Sequence, residues 1–169
     1  MKAKLILFVS LFITFLSCSV DVETKRESTN IQEEKIESNH QFEQGEHIYW
    51  STERKADELI FTVELAPTWM TYSQYNQNLM GPLPTLFFFE PNDHYELVGS
   101  VEESMVKMKH DKEANEELAY FEKVGRFTQK IKVISGEKFV IKGNINFMTC
   151  NQNGCEPPTD YPFEIEIIP

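Results

Sequence analysis

Phe139-Val140-Ile141-Lys142-Gly143-Asn144-Ile145-Asn146-Phe147, continued by Met148-Thr149-Cys150-Asn151-Gln152-Asn153-Gly154-Cys155-Glu156-Pro157-Pro158, is the stretch that decides the fold. Phe139, Ile141, Ile145 and Phe147 fall on one side of a period of two, and Val140, Lys142, Asn144 and Asn146 on the other. That alternation predicts a strand with one face inward. Asn153-Gly154, a dipeptide suited to positive φ, predicts a hairpin turn between the two cysteines. Residues facing each other across an antiparallel pair have Cα atoms about 4.5–5.5 Å apart, inside the roughly 4.4–6.8 Å that a disulfide needs. Cys150 and Cys155 can therefore bond with little backbone movement, and the bond can open without dismantling the fold. The pair is a candidate for redox work.

The same period runs outward from this stretch. Leu59 to Leu65 has the β-branched and aromatic content of a strand, and Leu86 to Phe89 is a short apolar run between Pro84 and Pro91, as for a strand buried in a sandwich. Phe127, Ile131 and Val133 alternate with Thr128, Lys130 and Lys132, and Phe163, Ile165 and Ile167 alternate with Glu164 and Glu166. One apolar and one polar face per strand fits antiparallel sheets. Turn signals at Asn92-Asp93, Ser135-Gly136 and Asn153-Gly154 complete the pattern of an all-β, immunoglobulin-like antiparallel sandwich over residues 45–169. One segment is helical in composition, Asp111 to about Phe121, rich in Glu, Lys and Ala; it could equally be an irregular loop. There is no internal repeat and no Gly-rich phosphate loop.

The N-terminus accounts for the third cysteine. Lys2 and Lys4 precede an apolar run from Leu5 to Leu16, too short to span a bilayer, which needs roughly 20 residues. Phe15-Leu16-Ser17-Cys18 reads as the cleavage box of a bacterial lipoprotein signal over residues 1–17, with Cys18 the lipidated residue. A general secretory signal that happens to contain a cysteine is the alternative. Residues 18–44 are acidic and polar, with Glu23, Glu27, Glu33, Glu34 and Glu37, and are expected to form a flexible tether. The expected location is the bacterial cell envelope, lipid-anchored and facing the periplasm. In that oxidising compartment the two remaining cysteines should pair. A net charge of −11 and a pI near 4.8 argue against nucleic acid and against electrostatic docking on anionic lipid, so membrane attachment would come from the acylated Cys18.

Other chemistries find little support. His40, His47, His94 and His110 show no ligand spacing, so no metal or cofactor is expected, and no Ser-His-Asp or paired-carboxylate arrangement can be argued. Trp69, Tyr72 and Tyr75 read as core or loop packing before a ligand groove. In the chain-entropy model a ring of about six residues stabilises by only ~2 kcal/mol, against ~4.7 for about 100 residues, so this bridge is an inefficient staple. No Lys, Arg or His lies within several residues of either cysteine, while Glu156 and Asp160 are close. Neither thiol should be strongly acidified unless the fold brings in His110 or a Lys.

Several pieces coincide in order: Trp69 and Tyr72-Ser73, then Gly81-Pro82-Leu83-Pro84-Thr85 and the strand to Phe89, then Leu97-Val98-Gly99, Phe127 to Ile131, and Cys150…Cys155-Glu156-Pro157-Pro158. So arranged, residues from about Gln44 to Pro169 resemble the N-terminal periplasmic domain of DsbD, the protein-disulfide reductase. The resemblance implies an immunoglobulin-like sandwich with one redox-active pair that takes reducing equivalents from a thioredoxin-like donor and passes them to exported thiol proteins. Cys155 matches the cysteine that forms the mixed disulfide with the donor, and Cys150 the resolving one. It also implies a cap loop, whose counterpart is His110 to Leu118, with His110, Asp111, Leu118 and Phe121 as candidate shielding residues. The cysteine spacing is one residue shorter than in the best-known members, and the covering aromatic is missing, Tyr120 and Phe121 being displaced from its place. The sequence ends at Pro169 with no membrane conduit, so the donor is expected to be a separate protein. The competing reading is a non-catalytic envelope lipoprotein that binds a partner and uses the disulfide only to hold a hairpin.

Overall fold

The computed structural model describes residues 39–169, except 78–80 and 113–114. The signal segment, Cys18 and the tether up to residue 38 lie outside the described residues. In chain order the strands are β1 (Ile48–Lys55), β2 (Glu58–Leu65), β3 (Met70–Tyr72), β4 (Leu86–Phe89), β5 (Tyr95–Ser104) and β6 (Lys107–Asp111). They continue as β7 (Glu116–Glu122), β8 (Val124–Val133), β9 (Phe139–Phe147), β10 (Thr149–Asn151), β11 (Gly154–Cys155) and β12 (Thr159–Ile167).

Every pairing is antiparallel. One sheet runs β1-β2-β8-β5, a second β12-β9-β4, and a third β11-β10-β3-β7-β6. The inward residues of the first two sheets form the main core: Trp50, Phe61, Val63, Phe127 and Ile131 from one side, Ile141, Ile145, Phe163, Ile165 and Ile167 from the other. Their large rings interlock, with Phe61 4.8 Å from Phe163 and Trp50 5.6 Å from Phe147 between ring centres. Edge-to-face and tilted ring pairs at these distances add to the area each side chain removes from water. The all-β antiparallel sandwich is thus what the period-two pattern predicts.

Two local expectations are corrected. The segment from Asp111 to Phe121 is neither helix nor irregular loop: β6 and β7 form a hairpin in which Lys109 faces Leu118 and Asp111 faces Glu116. Its composition favours helix, but Phe121 on one face and Leu118 on the other are both buried, and pairing of β7 with β3 decides the conformation. Tertiary pairing overrides a weak local propensity. Leu86 to Phe89 is a strand but is not buried on both faces. It lies at the edge of the β12-β9-β4 sheet, where Phe87 and Phe89 pack inward and Leu86 and Phe88 stay exposed.

Upstream of β1, the backbone N–H groups of Asn39 and His40 donate to the Glu64 carboxylate at 2.8 and 2.9 Å, and the His40 ring stacks on Tyr49 at 3.9 Å. The chain just before residue 45 is therefore held against the first sheet. Gln129 is a buried polar residue among the inward positions of β8. The β5–β8 register shifts between Val98 and Glu102, around Gly99 at φ +71°, and the Gln129 amide donates to the carbonyls of Val98 (3.2 Å) and Lys130 (2.7 Å). It supplies partners to backbone oxygens next to the bulge. Gln129→Leu, which keeps the bulk and removes the donors, should cost about 1–3 kcal/mol. A urea midpoint equal to wild type would contradict that role.

Candidate redox site

The cysteines sit on the third sheet, and the other two sheets build it. β3 follows β2, β10 follows β9 after Met148, and β7 runs into β8 through Lys123 at φ +66°, so three of its five strands are continuations of core strands. One face of this sheet carries Thr71, Thr149 and Phe121 into the interior, where Phe121 packs on Phe127 at 4.9 Å. The alternate residues, Cys150, Met70, Tyr72, Leu118 and Tyr120, form a separate small cluster on the opposite face.

Cys150 and Cys155 face each other in the β10–β11 pair and are bonded, with Cα atoms 4.0 Å apart. The turn is centred one residue earlier than Asn153-Gly154. Gln152 and Asn153 occupy its middle, the Asn153 N–H donates to the Asn151 side chain at 2.8 Å, and Gly154 opens the return strand at φ +144°. The base of the hairpin is fixed by several bonds. The Thr71 hydroxyl donates to the Met148 carbonyl at 2.9 Å, and the Glu156 N–H donates to the Thr149 carbonyl at 2.9 Å. His47 Nε2 lies 3.0 Å from the Thr149 hydroxyl, and its ring stacks on Trp69 at 3.8 Å. This assigns Trp69 to packing beneath the site.

The two cysteines differ in exposure. Cys150 is 3% exposed, packed among Tyr72 and Leu118, whereas Cys155 is on the surface. Both border a cleft of about 1190 Å³, whose far wall is the end of β6 with Lys109, His110, Asp111 and Lys112, and whose rim includes Gly81 and Pro82. His110 and Asp111 therefore stand across the cleft from the disulfide. Leu118 lies in the small cluster beside Cys150. Phe121 does not face the cleft: it is in the main core on the other side of the sheet.

The fold does bring in a lysine. Lys109, half-buried, lies 5.2 Å from the Tyr120 ring centre and 5.5 Å from that of Tyr72, and its ammonium reaches Met70 Sδ at 2.9 Å. Burial pulls its pKa down from the ordinary lysine value, with the Asp111 charge acting the other way. Burial, helped by Asp111, pushes the Tyr72 hydroxyl up to about 12.

No family model matches the chain, and no match is found among curated proteins. Among solved structures, the reduced N-terminal domain of DsbD from Neisseria meningitidis is similar at a TM-score of 0.53 and 15% identity, covering 73% of this chain and 87% of that one. A complex between the DsbD N-terminal and PilB N-terminal domains from the same organism matches at 0.53 and 15%, covering 70% and 81%. The fold is that of the DsbD N-terminal domain. The periplasmic N-terminal domain of ScsB from Proteus mirabilis is also found, at 0.47 and 16%.

In the DsbD-N-like domain, the residue that reading along the sequence passes over is Lys109. It is far from either cysteine in the chain, and its helical-looking surroundings concealed the hairpin that carries it. A Lys-x-Lys-x-Asp alternation at Lys107, Lys109 and Asp111 is the one signal that could have found it, as a strand showing a charged face.

Proposed function

We propose that the protein is a thiol–disulfide exchange domain of the bacterial cell envelope, anchored through Cys18, that relays reducing equivalents from a thioredoxin-like donor to exported thiol proteins through Cys150 and Cys155. The observation that carries this reading is the unequal exposure of the two bonded cysteines on the outer face of the third sheet. An exposed Cys155 offers an incoming thiolate a sulfur to attack, and a buried Cys150 is kept from any partner but its own neighbour. The donor thiolate bonds to Cys155, the Cys150–Cys155 bond breaks, and its electron pair leaves on Cys150. The donor's second thiol then attacks the mixed disulfide and releases Cys155 as a thiolate. The donor leaves oxidised, and the domain holds two thiols for an exported disulfide substrate. The DsbD-N-like fold supports the assignment, as does the existence of a complex between a DsbD N-terminal domain and a second domain. The cleft bordered by both cysteines and the β6 end is where the donor would dock.

The reduction potential of the Cys150–Cys155 bridge tests the reading. Equilibration in glutathione or dithiothreitol buffers should give a value above about −250 mV, in the range of exchangeable disulfides. A value below about −300 mV would mark a structural bridge and leave the non-catalytic binding module.

A further inference from the structure

We propose that Lys109 is a positioning residue for charge at the buried sulfur: its ammonium is aimed along the sheet face to stabilise the Cys150 thiolate when the disulfide opens. The proposal rests on the exchange reading above. Its geometry follows from register. Cys150, Met70 and Glu122 form one row across β10, β3 and β7; Tyr72 and Tyr120 form the next, with Lys107; Leu118 and Lys109 form the third. Lys109 does not stand upright in its own row. It lies back across Tyr120 and Tyr72, and its nitrogen touches the sulfur of Met70, the cross-strand neighbour of Cys150.

Other charges at this face are arranged so that Lys109 is the cation directed at the cysteine row. Lys107 is paired with Glu122. His110 is 3.0 Å from Glu117. Asp111 lies two residues beyond Lys109, on the side away from Cys150, and opposes its charge at longer range. Lys112 also borders the cleft, and Glu156 follows the exposed Cys155. Tyr72 and Tyr120 contribute ring faces on which the cation rests.

The chemical need is specific. A thiolate confined among apolar side chains is disfavoured, and the burial that shields Cys150 from partners makes it a poor leaving group. When a donor thiolate bonds to Cys155, the electron pair of the broken bond goes to Cys150, and a cation held close lowers the energy of that thiolate with no proton transferred. A leaving thiol of lower pKa departs faster.

Three substitutions in the full chain test this. Lys109→Met keeps an unbranched stem over the two tyrosine rings and removes the charge; Lys109→Arg keeps the charge. In the reduced protein, followed by thiolate absorbance against pH, Lys109→Met should move the Cys150 titration upward by about one unit, as loss of a neighbouring opposite charge raises an acid's pKa. Opening of the disulfide by dithiothreitol at neutral pH should slow several-fold. Lys109→Arg should titrate near wild type. Asp111→Asn, which removes the opposing charge, should move the titration downward and serves if Lys109→Met fails to fold. An unmoved titration in Lys109→Met, or in Asp111→Asn where that variant is the one that folds, overturns the proposal. So does equal slowing by Met and Arg without any titration shift, which would assign Lys109 to packing alone. A wild-type potential in the structural range would remove the exchange reading while leaving the titration result to stand by itself.

Discussion

Cys155→Ser is expected to lose disulfide exchange and to form no mixed disulfide, whereas Cys150→Ser should lose turnover but accumulate a mixed disulfide it cannot resolve. The difference follows from access. In Cys150→Ser the free sulfur is the exposed Cys155, open to a partner; in Cys155→Ser it is Cys150, 3% exposed and packed among Tyr72 and Leu118. Neither change should unfold the domain. The ring closed by residues 150–155 is small, and losing it costs about 2 kcal/mol in the chain-entropy model, while the hairpin keeps its bonds through Thr149, Thr71 and Asn151. The check is non-reducing electrophoresis after mixing each reduced variant with a thioredoxin-like protein whose single cysteine is held as a mixed disulfide with thionitrobenzoate, so that the variant's thiolate displaces thionitrobenzoate as it forms the mixed disulfide. Trapping by Cys155→Ser and not by Cys150→Ser would reverse the two roles. Trapping by neither would leave a bridge that only holds a hairpin.

Gly143→Ala should be the most damaging small substitution outside the site, at about 3 kcal/mol or more, the upper part of what overpacking a core costs. Gly143 lies mid-way along β9, opposite Phe89 on one side and Phe163 on the other. A methyl group there would overlap both the Phe88 carbonyl oxygen and the Phe163 ring. The ring cannot swing aside freely, because it is wedged 4.8 Å from Phe61 and 5.5 Å from Phe89. The carbonyl cannot move without disturbing the β4–β9 ladder. At roughly 3–5 °C per kcal/mol for a domain of this size, thermal unfolding followed by circular dichroism should show a loss of about 10 °C or more. Gly136→Ala, where nothing lies within 4 Å of the added carbon, is the matched control and should melt near wild type. A Gly143→Ala midpoint within about 2 °C of that control would mean that β4 and Phe163 yield far more readily than their packing indicates.

Gly143 also illustrates how much could be read before the fold was known. The alternation from Phe139 to Phe147 is legible because a strand's period is two, and the inward set survives in the core. That the glycine occupies an inward position to make room for Phe163 is not legible, since the ring comes from a strand twenty residues on. Leu86 to Phe89 failed in a related way: an apolar run has the same composition at a sheet edge as in a sheet centre, and only strand order distinguishes them. Asp111 to Phe121 failed because local propensity favoured one conformation and pairing with β3 another. Phe121, placed by resemblance among the shielding residues, fell on the interior face because a strand sends neighbouring side chains to opposite sides.

The sequence by itself determined β2, β8, β9 and β12, the inward faces of the last three and the local closeness of Cys150 and Cys155, because these depend on periods and spacings of only a few residues. Tertiary structure decided which cysteine is exposed and which charged residues share its sheet face. Burial of Cys150 comes from Tyr72 and Leu118, and the approach of Lys109 from the β6–β7 hairpin, all remote in the chain and brought to one sheet face only by the order β11-β10-β3-β7-β6. Solvent access and electrostatic distance are properties of three-dimensional neighbours, and no spacing along the chain encodes them.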